Sequence, residues 1–303
     1  MPTLGFVGLG AMGSRLAARL LAGGFSVAGY NRTPEKARDL VAAGLTLRPS
    51  PRAVAEESEA VFSMVTDDRS VRTVALGEQG IVAGLRPGTV YVEMSTVSPT
   101  VTRELGEAVA ARGAHLLDVP VSGSTITVER GEASFMVGGD PGALDRVRPY
   151  LAAMGSGGVT HVGDLGLAKT MKIAINLGLA VQMVAFSEAV LLAEKSGIPR
   201  DKAVEALVRS VVASPMVKYR GPFVIGGMPR YAWFPVPMIQ KDMDLALDQG
   251  RRLGVPLPTT ALVQQWLTMA RALGAGDHDF AVVFDVLASL SGLGPSIKPP
   301  ADS

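Results

Sequence analysis

Short apolar runs alternate with amphipathic segments over the first half of the chain. The apolar runs predict strands at Thr3–Val7, Ser26–Tyr30, Ala60–Met64, Val90–Glu93, His115–Val119 and Ser134–Val137. The segments between them include predicted helices at Ala11–Ala22, Pro34–Ala43 and Pro99–Arg112. Strands that alternate with helices are typical of a doubly wound parallel sheet. The pattern therefore predicts an α/β domain over residues 1–163.

Helical periodicity replaces this alternation after Gly163. Leu167–Lys195 is predicted to be one long central helix that Gly197 and Pro199 end. Further helices are predicted at Arg200–Val212, Pro237–Leu253, Thr259–Ala272 and Asp279–Leu290. We therefore predict an all-α domain over residues 164–293, joined to the first through the central helix, and a flexible, proline-rich tail over residues 294–303.

The centre of the predicted long helix is apolar for about twenty residues, which is the length of a membrane span. Polar side chains interrupt it at Lys169, Lys172, Asn176, Gln182, Ser187 and Glu188. A helix that is apolar nearly all round is otherwise a buried one. The sequence thus favours a core helix and no membrane span.

Composition limits the classes of partner. The 303 residues are 48% hydrophobic, which is enough for a sizeable core, and the net charge of +1 gives no global field that would recruit nucleic acid. There is no cysteine, and three widely separated histidines show no ligand spacing, so we predict no metal. Because a core strand begins at Thr3, we expect no signal peptide and a cytoplasmic location.

The first predicted strand runs into a glycine-rich turn. This turn has the spacing G-x-G-x-x-G and consists of Gly8, Leu9, Gly10, Ala11, Met12 and Gly13. Between a strand and a helix, its glycines allow a tight turn, a close approach of a pyrophosphate and close helix packing. The helix N-terminus supplies N–H groups for phosphates. The turn predicts a dinucleotide cofactor; the alternative is a glycine-rich turn in another kind of α/β protein.

The end of the second predicted strand indicates which dinucleotide binds. NAD sites usually place an acidic residue there for the ribose 2′-hydroxyl. This chain instead has Asn31, Arg32 and Thr33, with Lys36 one turn later. A guanidinium can pair with a 2′-phosphate, which a carboxylate would repel. We therefore expect NADP(H) to be preferred, with NAD(H) possible; the alternative is that Arg32 is only a solvated loop residue.

The long helix carries a candidate for proton transfer. Lys172 and Asn176 are four residues apart and so lie on one helix face. An ammonium among apolar neighbours is costly unless it is paired or functional, and desolvation lowers a lysine pKa towards neutrality. Lys172 is therefore a plausible proton donor, which Asn176 could orient. The alternative is that Lys172 reaches solvent, and Lys169 is its nearest rival for the role.

Loops after predicted strands carry further polar groups. Asp118–Ser124 includes Ser122 and Gly123, whose hydroxyl and amide suit a small carboxylate; the alternative is an ordinary loop. In Ser95–Pro99, Ser98 is typical of a helix N-cap, while Thr96 could reach a substrate. In the predicted helical domain, Lys241–Leu245 is interpreted as a charged helix start.

With these segments together, the chain resembles the β-hydroxyacid dehydrogenase family, the group that includes 3-hydroxyisobutyrate dehydrogenase and tartronate semialdehyde reductase. The resemblance extends from about Leu4 to Leu293 and rests on motifs in family order: Gly8–Gly13, Asn31–Thr33, Ser95–Pro99, Asp118–Ser124, the pattern ending in Lys172 and Asn176, and Lys241–Leu247. The segments SMVTDD and FPVPMIQKDMDLAL are most similar to NADPH-dependent glyoxylate and succinic semialdehyde reductases.

The resemblance implies a Rossmann domain followed by a helical substrate domain, and a role for each matching residue. Lys172 matches the catalytic lysine and Asn176 its partner, and the chain would form a homodimer or homotetramer through the helical domain. The other implied site residues fall into two groups. Substrate contacts are implied for Ser122, Gly123, Thr96, Phe234 and Asp242, and places beside the cofactor for Met64, Val65, Thr66, Thr96 and Lys241.

Two positions depart from the family pattern. Ala168 replaces a glycine before the catalytic lysine, which could shift the helix start, and Ser124 replaces a frequent glycine. The residues do not select among glyoxylate, succinic semialdehyde and methylmalonate semialdehyde. Two other functions stay open: an imine reductase, whose family as a rule lacks the lysine, and a non-catalytic nucleotide-binding module.

Overall fold

The computed structural model describes residues 3–294, which form two compact units. The first unit extends to Lys172 and the second begins at Ile173. The predicted tail lies, from Pro295 onwards, outside the described residues. The division falls within the long central helix, whereas the predicted domain boundary was residue 163.

The described strands of the first unit form one sheet. They are β1 (Thr3–Val7), β2 (Ser26–Tyr30), β3 (Thr46–Leu47), β4 (Ala60–Ser63), β5 (Val90–Glu93), β6 (His115–Asp118), β7 (Val121–Ser122), β8 (Ser134–Gly139) and β9 (Val159–Gly163). Their order is β3-β2-β1-β4-β5-β6-β8-β7, with β9 paired to β8. All six strands predicted from the sequence are present, and β3, β7 and β9 are additional.

The prediction of a parallel sheet is correct for most pairs and wrong for two, because β8 runs antiparallel to both β6 and β7. Only a short helix at Thr125–Glu129 lies between β7 and β8. Such a link is too short for the crossover that returns a chain to run parallel. The longer helix at Pro141–Met154 lies between β8 and β9, and that pair is parallel.

Helices cover both faces of the sheet. They are α1 (Gly13–Ala22), α2 (Arg38–Ala42), α3 (Pro51–Glu57), α4 (Asp68–Leu76), α5 (Ile81–Gly84), α6 (Pro99–Ala110), α7 (Thr125–Glu129) and α8 (Pro141–Met154). The predicted helix Pro34–Ala43 is a 3-10 turn over Pro34–Ala37 followed by α2. Leu4 and Phe6 pack with one buried cluster, and their neighbour Val7 with the other, as the strand alternation requires.

The second unit is helical throughout its described part. Helix α9 spans Leu167–Lys195, and its part from Ile173 onwards belongs to this unit. The other helices are α10 (Arg200–Arg209), α11 (Pro215–Gly226), α12 (Val236–Leu253), α13 (Pro258–Ala272), a 3-10 turn over Phe280–Val282 and α14 (Val283–Leu290). The predicted bounds of α9 are confirmed. Helix α11 was not predicted, and Pro222 lies within it. Lys241–Leu245 lies inside α12, so its interpretation as a helix start is wrong.

By length and composition alone, α9 could cross a membrane. In the structure, 44% of its most apolar stretch is buried within the protein. The core helices of globular proteins satisfy the same criterion, so the helix is weak evidence for a membrane span.

Candidate active site

The turn after β1 uses its glycines for different physical reasons. Gly8 has φ +92°, and a Cβ atom there would lie 2.3 Å from the carbonyl oxygen of Met64. A Cβ atom on Gly13 would lie 1.9 Å from the carbonyl oxygen of Gly8. At Gly10 a Cβ atom would meet nothing within 4 Å, so the backbone there is open to an approaching group. This arrangement fits a dinucleotide pyrophosphate.

Asn31, which follows the neighbouring strand β2, stabilises this turn through hydrogen bonds of its side chain. Its Oδ1 accepts a 3.0 Å hydrogen bond from the amide of Leu9, and its Nδ2 donates to the carbonyl oxygen of Thr33 at 2.8 Å. The side chain of Leu9 is buried in the core, and Met12 packs against that core. Asn31 therefore positions the turn, while the side chain of Leu9 has a structural role.

The other predicted cofactor positions differ in exposure. Ala11, Arg32, Thr33 and Lys36 are exposed. No ion pair involving Arg32 is found within residues 3–294, so its guanidinium is available to an anion there. Ala11 lies in the turn after β1, and Arg32, Thr33 and Lys36 follow β2, at the carboxyl edge of the sheet where α/β proteins bind ligands.

The loops after β4 and β5 are tied to each other. The hydroxyl oxygen of Ser95 accepts a 2.9 Å hydrogen bond from the amide of Val65. Met64 and Val65 are half-buried and Thr66 is exposed, as a loop beside a ligand would be. Thr96 follows Ser95 and is half-buried. The hydrogen bond from Val65 to Ser95 therefore joins the two loops directly.

Ser98 is the N-cap of α6, which confirms the structural interpretation of that residue. Its hydroxyl oxygen accepts from the amide of Val101 at 3.2 Å, and its own N–H and O–H both donate to the carboxylate of Asp68. With all of its groups engaged, Ser98 is the fixed end of the loop that carries Thr96.

The loop around β7 explains one departure from the family pattern. Gly123 has φ +142°, and a Cβ atom there would lie 2.9 Å from Thr127. Ser124 is the N-cap of α7 and forms a capping box with Thr127, so this serine has a structural reason. Ser122 is half-buried immediately before them. The backbone conformation at Gly123 is one that few other residues adopt.

Asp118 fixes the start of α9. Its carboxylate accepts hydrogen bonds from the amides of Gly166 and Lys169, both at 2.9 Å. Burial raises the pKa of Asp118 above its ordinary value of 3.8, against the opposing effect of the Lys169 charge. The helix begins at Leu167 as predicted, so Ala168, which is fully buried, does not displace its start.

The fully buried lysine of α9 is Lys169. Lys172, which the sequence analysis placed among apolar neighbours, is only half-buried. Lys169 is 0% exposed, and its Nζ lies 2.7 Å from Oε2 of Glu93. Lys172, one turn later, is half-buried and has interactions of its own. Sequence reasoning had treated Lys169 as a rival for catalysis and had not identified Glu93 as a partner. The ion pair gives Lys169 a structural role.

In the second unit, Asn176 is held by a carboxylate. Its Nδ2 donates a 2.6 Å hydrogen bond to Oδ2 of Asp242, whose Oδ1 lies 2.7 Å from Nζ of Lys241. Asn176 and Asp242 are each 1% exposed. Oδ1 of Asn176 is buried and has no hydrogen-bond partner within residues 3–294. It is therefore an acceptor that suits a hydroxyl or ammonium donor.

Phe234 is anchored by a buried ion pair that sequence reasoning missed. Its amide donates to Oδ2 of Asp279 at 2.9 Å, and its ring packs edge-on against Phe280 with centroids 5.9 Å apart. Asp279 also accepts two hydrogen bonds from Arg220, at 2.8 and 3.0 Å. Arg220 belongs to the unpredicted α11, so no local pattern indicated this pair.

Within residues 3–294 there is no group of three or more histidine, cysteine, aspartate or glutamate residues that could hold a metal ion.

Comparison with known proteins gives two matching sequence profiles. Residues 3–163 match the profile described as the NAD binding domain of 6-phosphogluconate dehydrogenase. Residues 166–287 match the one described as NAD-binding of NADP-dependent 3-hydroxyisobutyrate dehydrogenase.

Similar whole proteins include glyoxylate/succinic semialdehyde reductase 2, chloroplastic, from Arabidopsis thaliana. It is 32% identical over 94% of this chain and 79% of its own length. Among solved structures, 3-hydroxyisobutyrate dehydrogenase from Mycobacterium tuberculosis with L-serine has a TM-score of 0.85 at 30% identity, covering 95% of this chain and 99% of that one. Psf3 in complex with NADP+ and 2-OPP has a TM-score of 0.84 at 26% identity, covering 94% and 99%.

Proposed function

Because the chain belongs to the β-hydroxyacid dehydrogenase family, we propose that it interconverts a small aldehyde acid and the corresponding hydroxy acid with NADP(H). The family makes it an NAD(P)-dependent hydroxyacid dehydrogenase. The finer choice, glyoxylate, succinic semialdehyde or a similar compound, is supported by the reductase from Arabidopsis. The observation that carries the proposal is the placing of Lys172 and Asn176 one turn apart on α9, with Asn176 already held by Asp242.

The glycine-rich turn would hold the cofactor through its backbone. The open approach at Gly10 and the amides at the start of α1 suit the pyrophosphate. The exposed cations Arg32 and Lys36 would bind the 2′-phosphate, which is the reason to prefer NADP(H) over NAD(H). When bound, the nicotinamide cofactor supplies or accepts a hydride. Lys241 and the loop Met64–Thr66 are proposed to contact the cofactor as well.

Lys172 would move the proton. In the reductive direction its ammonium donates a proton to the carbonyl oxygen of the aldehyde acid, and in the oxidative direction its amine accepts that proton. Asn176 would accept a hydrogen bond through Oδ1, the buried acceptor for which residues 3–294 provide no donor. Asp242 keeps this oxygen available because a carboxylate accepts hydrogen bonds and so binds the amide nitrogen of Asn176.

The substrate carboxylate would be held by neutral donors. We assign this contact to the hydroxyls of Ser122 and Thr96 and to the amide of Gly123, whose positive φ turns its backbone at the end of β7. Phe234 and Asp242 are proposed as substrate contacts from the helical unit. Their geometry within that unit is fixed by Asp279 and Asn176.

The test is initial-rate kinetics on glyoxylate and succinic semialdehyde with NADPH and NADH, and on 3-hydroxyisobutyrate with NADP+ and NAD+, with a cyclic imine and NADPH in parallel. We expect turnover of at least one carboxylate substrate and none of the imine. Lys172→Ala should lower kcat by about 100- to 10,000-fold, as loss of a general acid does, while NADPH binding is kept. Lys195→Ala, at the exposed end of the same helix, is the control and should leave kcat unchanged. Unchanged turnover in Lys172→Ala, or turnover of the imine alone, would contradict the proposal.

We also propose that the protein is a homodimer or homotetramer assembled through the helical unit. The support is a set of large apolar side chains that are exposed in that unit, including Leu192, Val211, Val212, Leu253 and Leu290. Their burial in a partner would remove this surface from water. Light scattering coupled to size-exclusion chromatography tests the assembly, and a monomeric mass at micromolar concentration would contradict it.

A further inference from the structure

The first unit buries two carboxylates and one ammonium close together. Glu93, Asp118 and Lys169 are each fully buried. Nζ of Lys169 lies 2.7 Å from Oε2 of Glu93 and also donates to the carbonyl oxygen of Glu93 at 2.8 Å. Replacing such a pair with apolar side chains is often neutral or stabilising, so burial of these charges is not explained by stability alone.

Glu93 connects the pair to the loops that would contact cofactor and substrate. Its second carboxylate oxygen, Oε1, accepts a 2.8 Å hydrogen bond from the amide of Ser95. The hydroxyl of Ser95 in turn accepts from the amide of Val65 at 2.9 Å. Thr96 is the next residue after Ser95. One carboxylate therefore sets the position of both the Met64–Thr66 loop and the Thr96 loop.

Lys169 belongs to α9, the helix that carries the proposed proton donor Lys172. Its amide is held by Asp118, and its side chain is held by Glu93, so the first turn of α9 is fixed at both the backbone and the side chain. Lys172 is three residues further along α9, and residues at this spacing are neighbours on the helix surface. The rotation of α9 at Lys172 therefore follows from the anchorage of Lys169.

We propose that Glu93 and Lys169 are a positioning pair, which holds the Thr96 loop and the Lys172 turn of α9 in one fixed arrangement. The inference rests on the proposed function, because it assigns these residues to the same reaction. Neither residue is a catalytic group, since both side chains are buried against each other. Because Nζ of Lys169 must stay close to both the carboxylate and the carbonyl oxygen of Glu93, the pair would fix the position of α9 against β5 more narrowly than apolar packing.

The test compares three variants: Glu93→Gln, Lys169→Met and the double variant. Each single change leaves a buried charge without its partner and should lower Tm. The double change removes both charges and keeps an oxygen for the Ser95 amide, so its Tm should recover towards the wild-type value. If the pair positions the reacting groups, kcat of the double variant stays about 100-fold lower while the Kd for NADPH is kept. A folded double variant with wild-type kcat would overturn the proposal.

Tyr91→Phe is the matched control. Tyr91 is fully buried on the same strand as Glu93, and its hydroxyl is hydrogen-bonded to Ser63 at 2.8 Å. The change removes a buried hydrogen bond between β4 and β5 but leaves the Glu93–Lys169 ion pair and the Ser95 hydrogen bonds in place, so kcat should stay near the wild-type value. If Tyr91→Phe lowered kcat as much as the double variant does, removal of any buried polar contact on β5 would be enough to lower kcat. That result would contradict a specific positioning role for Glu93 and Lys169.

Hydrogen exchange of the unmodified protein provides a measurement that depends neither on folding of the variants nor on turnover. The proposal expects the amides of Val65, Ser95 and Lys169 to exchange through one shared opening, with the same dependence on denaturant. Exchange of Ser95 and Lys169 through separate openings would overturn it. If the wild-type enzyme turns over no compound of the substrate panel, the proposed function fails, and the exchange result still decides whether the pair joins these segments.

Discussion

The amide nitrogen of Asn176 donates a 2.6 Å hydrogen bond to the carboxylate of Asp242, which leaves the buried Oδ1 of Asn176 without a partner in residues 3–294. The carboxylate thereby determines which end of the amide is available. An asparagine in place of Asp242 has a donor as well as an acceptor, so both orientations of the Asn176 amide would become possible.

We therefore expect Asp242→Asn to lower kcat/KM for the aldehyde acid by about 10- to 100-fold, the value of one charge-assisted hydrogen bond. NADPH affinity should change little, which tryptophan or NADPH fluorescence titration would measure. Asp244→Asn is the control on the same helix, because Asp244 is exposed and bonded to Gln264. Full activity of Asp242→Asn would show that Asn176 does not need this partner.

Arg32 is expected to determine coenzyme preference. Arg32→Asp replaces an exposed cation at the end of β2 with a carboxylate, which repels a 2′-phosphate and accepts a hydrogen bond from a ribose hydroxyl. The ratio of kcat/KM for NADPH to that for NADH should fall by about 10- to 100-fold. Arg38→Asp, which makes the same charge change at another exposed position, should leave the ratio nearly unchanged. An equal ratio before and after Arg32→Asp would exclude a role in binding the phosphate.

Asp118 should give the protein a pH-dependent stability. Burial raises its folded-state pKa above the ordinary 3.8, so the folded protein retains a proton that the unfolded chain has lost. The contribution of Asp118 to the free energy of unfolding is therefore fully present below pH 3.8. It declines as the pH rises from 3.8 to the raised pKa of the folded protein.

Urea unfolding of the wild type and Asp118→Asn at several pH values measures this effect. The stability advantage of the wild type over the variant should shrink as pH rises through the window, because only the wild type carries the ionisable group. Asp145→Asn, at a side chain that is 73% exposed, provides a baseline with no such trend. An advantage that grows with pH would mean that the buried carboxylate is stabilised in its charged form.

The Arg220–Asp279 pair should matter for both stability and the position of Phe234. Asp279→Ala leaves the guanidinium of Arg220, which is 2% exposed, without its partner, and should lower the free energy of unfolding by about 3–5 kcal/mol. Glu194→Gln breaks a partly exposed pair with Arg200 and should cost about 0–1 kcal/mol. Equal losses in the two variants, measured by urea denaturation, would contradict this ranking.

Features that depend on neighbouring residues could be predicted from the sequence. The turn Gly8–Gly13 and the bounds of α9 follow from local spacing and from Gly197, and they are present as expected. The role of Ser98 as an N-cap also follows from its place before Pro99. In each case the physical cause lies within one turn or one helix of the residue concerned.

Features that depend on distant partners could not be predicted in this way. Lys169 and Lys172 occupy similar places in the helical pattern, and the partner that distinguishes them, Glu93, is 76 residues from Lys169. Arg220 and Asp279 are separated by 59 residues. The antiparallel direction of β8 likewise depends on how far the link through α7 can reach. No periodicity in a single sequence encodes such pairings.

Gly13 lies so near the carbonyl oxygen of Gly8 that even one methyl group would come within 1.9 Å of it. No alternative amino acid can be accommodated there without separating α1 from the end of β1. Laboratory evolution towards another coenzyme would therefore have to leave this position invariant. Changes in coenzyme preference would come instead from exposed residues such as Arg32 and Lys36, where substitution of a side chain leaves the turn intact.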